Sequence, residues 1–271
     1  LATSQPSPEA ERPAAVGLAN TAVDWGGTRW TTIVWKLVPH DQPQARGRLM
    51  LHELFHRIQP ELGLRVAEGQ YDHLDTLEGR YWMQLEWRAL ARALGARGPA
   101  RAAAIRDALS FRMARRARIP GAAENERRLE INEGLAQYTG TVAAFSSPGE
   151  AAADAIEQLA RAAKEPTFVR TFAYASGAAY GLLLDACSPA WTRRLKSSDD
   201  LGHLLREVES IEPAADVEAL AKSYAGPELM AAEALREADQ KARVADLRRR
   251  FVEGPVLVLP PPRNASFVTA G

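Results

Sequence analysis

Two histidines four residues apart, with a glutamate directly after the first, are the clearest chemistry in this chain: His52-Glu53-Leu54-Phe55-His56. On a helix, positions i and i+4 share a face, so both imidazoles can reach one cation. Glu53 stands one step round and cannot share that ligand position. It is left beside the cation, where a carboxylate can take a proton from water. The chain has five histidines in 271 residues, and such a pattern arises by chance in roughly one chain of this size in a hundred. Met50, Leu51, Leu54 and Phe55 give the stretch an apolar character, and a buried imidazole pair needs a partner. The ligand types imply one Zn2+ ion and metal-assisted hydrolysis.

A catalytic zinc site takes a third protein ligand and keeps a fourth position open. Glu133, in Leu129-Glu130-Ile131-Asn132-Glu133-Gly134-Leu135-Ala136-Gln137-Tyr138, is the first candidate, with Asp75 and Glu78 as alternatives. Asn132-Glu133-Gly134-x-Ala136-x-Tyr138 resembles the third-ligand helix of the gluzincin aminopeptidases. Tyr174-Ala175-Ser176-Gly177 resembles the Tyr-x-x-Gly helix start of the same clan, nearest its glycyl aminopeptidase branch. The resemblance implies a zincin-like catalytic domain in which Glu133 binds zinc and Asn132 supports it. It also implies that Tyr174 donates a hydrogen bond to the oxyanion, with Tyr180 as the rival. Glu126 and Glu130, on the same expected helix, either pair with neighbours such as Arg127 and Arg128 or hydrogen-bond a ligand imidazole; Glu130 is the expected support.

The chain departs from that family in two ways. His56 and Glu133 are 77 positions apart, far more than in the aminopeptidases, so the helical patterns between 75 and 117 read as an insertion. The Gly-x-Met-x-Asn loop that captures a substrate amine is absent from the sequence. Gly26, Gly27 and the strand-like Arg29–Leu37 run occupy a comparable place, and Gly26, Gly27 and Thr31 become the expected substrate-binding residues. A strand there would pair with an extended backbone, which favours a peptide or protein substrate. Two other readings remain open: an inactive zincin-like binding module, and a helical interaction domain with an accidental HExxH.

The elements that must position these residues are mostly helical. Apolar periodicity and Gly/Pro punctuation predict helices over 48–59, 75–94, 100–116, 125–144, 149–163, 170–187, 199–209, 213–224 and 226–250. Pro39 to Gly47 reads as a loop, and Phe251 to Pro260 as a strand. The expected fold class is α+β, mostly helical, with a small strand region before the HExxH helix. The expected organisation is a leader over 1–18, a catalytic domain over 19–225, a charged helix over 226–250 and a C-terminal segment over 251–271. Leu1 in place of Met is expected of a partial or processed chain, and the Ser/Pro/Ala-rich leader is compatible with export.

Thirty-four basic and 34 acidic residues leave no net charge, which argues against a nucleic-acid partner. No apolar run reaches the roughly 20 residues of a membrane span. The lone Cys187 excludes an internal disulfide and a cysteine zinc site.

Overall fold

A computed structural model describes residues 16–67 and 69–255. Most of the expected leader, and the expected strand from residue 256 on, lie outside the described residues. The described residues are mostly helical, with one two-stranded antiparallel sheet. A hairpin of β1 (Thr21–Trp25) and β2 (Thr28–Thr32) precedes α1 (Pro43–Ile58), α2 (Leu77–Gly95) and α3 (Gly98–Arg118). Then come α4 (Ala122–Leu129), a π turn (Glu130–Gly134), α5 (Leu135–Ala144), α6 (Pro148–Ala162) and α7 (Thr171–Cys187). The short α8 (Leu201–Glu209) and α9 (Val217–Lys222) lead to the long α10 (Gly226–Arg248). No helix among the described residues is long and apolar enough to cross a membrane.

Gly26 and Gly27, at φ +59° and +74°, make the two-residue turn that pairs Trp25 with Thr28; both positions demand positive φ. The strand expected over 29–37 is corrected at both ends. It starts one residue earlier, and after Thr32 the chain turns away. The Val34 N–H donates to Asn20 Oδ1 at 2.7 Å, and Trp35–Leu37 is a single 3-10 turn. Helix α1 begins at Pro43, inside the expected loop. Proline in a first turn forfeits no intrahelical bond, so it starts the helix.

Thr76 caps α2 by accepting from the Gly79 N–H. The two helical stretches expected as an insertion are the centre of the core. Met83, Leu85, Ala89 and Leu90 of α2 are fully buried, and α2 packs on α3, α6, α7 and α10. The boundary expected at 225 falls inside continuous packing. Leu229 of α10 is buried, and Glu233 accepts from Arg80 Nε at 3.0 Å and Gln84 Nε2 at 2.6 Å. The strand expected from Phe251 is corrected in its described part: α10 runs on into a second π turn, Arg249–Glu253. Ion pairs of Asp246 with Arg249 and Arg250, and of Arg248 with Glu253, hold that turn.

The single helix expected over 125–144 is interrupted where Leu135 N–H bonds to Glu130 O, an i→i+5 bond. Helix α7 crosses this π turn at glycine on glycine. A Cβ built on Gly177 would stand 2.2 Å from Gly134 Cα, so no larger residue permits the contact. Glu133 lies next to one of these glycines and Tyr174 one turn before the other, and the contact draws the two side chains together.

Candidate metal centre

Helix α1 carries His52 and His56 on the face that packs against α5 and the hairpin, and the π turn brings Glu133 to them. His52 Nε2 and His56 Nε2 are 3.1 Å apart, and each is 3.3 Å from Glu133 Oε2. The other imidazole nitrogens are occupied. His52 Nδ1 meets Gln137 Oε1 at 3.2 Å, and His56 Nδ1 meets Gln59 Oε1 at 3.0 Å. An amide oxygen only accepts, so each Nδ1 carries its proton. Both Nε2 atoms then turn toward a carboxylate oxygen, an arrangement that requires positive charge: a proton on one Nε2, or a cation between all three. Donors about 2.0–2.1 Å from a tetrahedral ion stand roughly 3.3 Å from one another. The three sides of this triangle match, so the donor set fits such an ion and could hold a metal.

Comparison with protein-family profiles, curated proteins and solved structures finds no match. The centre is therefore read from its own geometry.

The two glutamines were not expected from the sequence. Gln59 is almost fully buried, and its Nε2 donates to the Ile131, Asn132 and Leu64 carbonyls at 3.0, 3.3 and 3.3 Å. One side chain thus fixes His56 and ties it to the π turn that presents Glu133. Gln137 Nε2 donates to Gln158 Oε1, and Gln158 to Asp154, which pairs with Arg48. Arg170 was missed as well; its Nη2 donates to Glu133 Oε1 at 3.0 Å. Spacing offered some signal: Gln59 lies three residues after His56 and Gln137 four after Glu133, each one helical turn away.

Burial opposes the charge on Glu133, but hydrogen bonds from His52, His56 and Tyr174 hold its carboxyl well below the usual range. Burial also opposes charge on His56; its hydrogen bonds to Glu133 and Gln59 outweigh this and raise it above the usual imidazole value. Glu53 behaves differently. Burial pushes its carboxyl up, against the attraction of both imidazoles, and among the described residues it has no hydrogen-bond partner. It faces an open cleft of about 550 Å³.

Tyr174 stacks on His52, with ring centroids 5.4 Å apart and planes 6° from parallel. Burial and the Glu133 charge push its phenol well above the ordinary value. Asn132 Nδ2 reaches Glu133 Oε1 at 3.5 Å. The rival Tyr180 is fully buried away from the cleft, donating to Glu86 at 2.8 Å.

Other expected residues lie elsewhere. Asp75 accepts from Phe168 N–H and Thr167 Oγ1, both at 2.6 Å, and so pins the start of the chain segment leading to α7. Glu78 is exposed in the first turn of α2, where an acid favours the helix dipole. Glu130 does not touch an imidazole; it accepts two hydrogen bonds from Arg112. Arg127 and Arg128 pair with Glu124 rather than with Glu126 or Glu130. Gly26 and Gly27 form the hairpin turn, and Thr31 is the partner of Ala22. None of these three lines the cleft, whose hairpin wall is Asn20, Thr21, Ala22 and Arg29.

Proposed function

We propose that this chain is a zinc-dependent peptidase of the gluzincin kind. The observation that carries the reading is the triangle of His52 Nε2, His56 Nε2 and Glu133 Oε2, 3.1–3.3 Å on a side, with the partnerless Glu53 carboxylate beside it. A zinc ion held there would supply Lewis acidity, polarising a carbonyl and acidifying water.

The residues divide the remaining work. Glu53 takes a proton from the attacking water and returns it to the departing amine; a carboxyl raised by burial is closer to the pKa that suits both halves of that exchange. Gln59 and Gln137 keep both Nε2 lone pairs aimed inward. Arg170 and Asn132 hold the second oxygen of Glu133. Tyr174, on the cleft wall, is the donor assigned to the oxyanion. Along a two-residue hairpin, bonded and non-bonded pairs alternate from the turn. Ala22 opposite Thr31 is a non-bonded pair, so the Ala22 N–H and C=O point away from β2. Ala22 lines the cleft, and this edge suits pairing with an extended peptide.

Metal analysis and turnover together test the reading. Wild-type protein is expected to hold one zinc, Glu133→Ala to lose it, and Asp75→Ala and Glu78→Ala to keep it. Glu53→Gln should keep zinc while peptide turnover falls by about 10²–10⁴-fold. Full activity in Glu53→Gln, or wild-type protein that takes up no zinc when zinc is supplied, ends it.

A further inference from the structure

Two clefts meet at the centre and share Asn20, His52, Glu53 and Tyr174. They differ in charge. The larger carries three guanidiniums, Arg29, Arg65 and Arg170, against two carboxylates, Glu53 and Glu133. Both carboxylates belong to the centre itself, and Arg170 is already set on Glu133. Among the described residues Arg29 pairs only with Asp24, which is 75% exposed and outside the cleft lining. Its Nε is buried with nothing to donate to. Arg65 is exposed at the cleft and, among the described residues, makes no ion pair or hydrogen bond. The smaller cleft, about 390 Å³, is lined by Pro39, Ala45, Leu49 and Gln137, and its one cation, Arg48, is neutralised by Asp154 at 2.6 Å.

We propose that Arg29 and Arg65 select the substrate: a peptide that presents a carboxylate to this arm and uncharged residues to the other. Guanidinium is the side chain suited to reading a carboxylate, through its fixed fork of donors. Two guanidiniums not matched by a carboxylate of the cleft also draw negatively charged ligands to this arm. Apolar side chains contribute little to this arm, with Ala22, Pro60 and Val66 its apolar members, so charge is the feature it can discriminate. The carboxylate can come from an Asp or Glu side chain or from the free end of a chain. That the bound peptide is a substrate rests on the peptidase reading, but recognition can be measured without turnover.

The test uses zinc-supplied Glu53→Gln protein and fluorescein-labelled, C-terminally amidated hexapeptides of alanine with Glu, Gln or Lys at one central position. A fourth peptide carries Gln and a free carboxylate. Fluorescence anisotropy should give the Glu peptide about tenfold tighter binding than Gln, with Lys weaker still, and the gap should narrow with salt. Placing Arg65→Glu or Arg29→Glu in that background should reverse the order of Glu and Lys, and Arg65→Gln should flatten it; unchanged circular dichroism confirms that the variants fold. Equal binding of the Glu peptide and the free-carboxylate Gln peptide means that the arm takes a carboxylate from either source; tighter binding of the free-carboxylate peptide assigns it to chain ends, and preference for Glu alone assigns it to side chains. Equal affinity for Glu, Gln and Lys, no binding to any of them, or an order unaffected by both arginine replacements overturns the proposal. Wild-type protein on the same peptides separates the two ideas. Acidic peptides bound but uncut end the peptidase reading alone, and cutting without charge preference ends this one alone.

Discussion

Glu126 and Glu130 face one way along the α4–α5 path, and Glu133 faces the other. The first two enter a largely buried ionic network. Arg115 makes two 2.8 Å bonds to Glu126 and also reaches Glu86; Arg112 clamps Glu130; Arg116 bridges Glu126 and Asp200 at 2.7 Å each. Arg115, Glu86, Glu126 and Glu130 are wholly buried. In this region the acids face guanidiniums, and among the described residues two guanidinium nitrogens, Arg112 Nε and Arg116 Nη2, are left without a hydrogen-bond partner. At the candidate metal centre, three turned-in donors and the Glu53 carboxylate, unpartnered among the described residues, are left beside a cleft. One chain path serves both: its acids bind guanidiniums on the side that fastens α2, α3, α4 and α8 together, and face the cleft on the other.

Removing one partner from each region should give the largest contrast. Arg115→Ala leaves Glu86 and Glu126 buried without that partner, and a urea titration should show a loss of about 3–5 kcal/mol. Glu133→Ala should cost less than that, since its Arg170 partner is half exposed and the two imidazoles can become neutral, while abolishing zinc binding. Equal costs would make the centre merely a second structural cluster. Next in size is Gly177→Ala, whose Cβ would collide with Gly134 Cα. Helix α7 must shift off the π turn, and the expected loss is about 1–3 kcal/mol, with weaker zinc binding. Gly149→Ala is the control, since its Cβ meets nothing nearer than 4.0 Å; it should lower neither. Gln59→Ala and Gln137→Ala should each weaken zinc about 10–100-fold in a chelator competition, because the imidazoles lose their anchors. Unchanged affinity would mean that helix α1 alone orients the histidines.

The sequence carried the helices well where glycine and proline punctuate them: α6, α7 and α10 start within one residue of expectation. It also carried His52, His56 and Glu133, because chemistry restricts the residue types. The facing of the glutamates was not legible. Positions 126, 130 and 133 are i, i+4 and i+7, one face of a regular helix, which is why Glu130 was expected beside the imidazoles. The π turn adds a residue to its turn and rotates the helix beyond it by about 100°. No residue type in Glu130-Ile131-Asn132-Glu133-Gly134 announces that turn; packing of Gly134 on Gly177 and the Gln59 bonds to its carbonyls favour it. The network was hidden for a similar reason. No spacing links Arg112, Arg115 and Arg116 to Glu86 or Asp200 in the sequence, and only tertiary packing brings them together.

Acid should separate the two regions through the smallest of these effects. In the network, burial works against the charges on Glu126 and Asp200, but the Arg115, Arg112 and Arg116 guanidiniums hold both carboxyls well below their usual range. A depressed folded pKa gives stability that is fully present above the unfolded values, about 3.9 for Asp and 4.3 for Glu. That stability is lost as pH falls through those values toward the folded ones. The fold should therefore hold at pH 6 and weaken below about pH 5. At the metal centre the sign is opposite. In metal-free protein the raised His56 adds stability below its unfolded value of about 6.5 and loses it as pH climbs through the folded value. Zinc competes with that same proton, so lowering the pH should release metal first and leave the helices in place. A chelator-dye assay and far-UV circular dichroism, run together from pH 7.5 to 3, should give two transitions, zinc loss at the higher pH and only a small change in melting temperature across it. One coincident transition would mean that the centre and the network are a single cooperative unit, and that the open cluster depends on the closed one for more than its position.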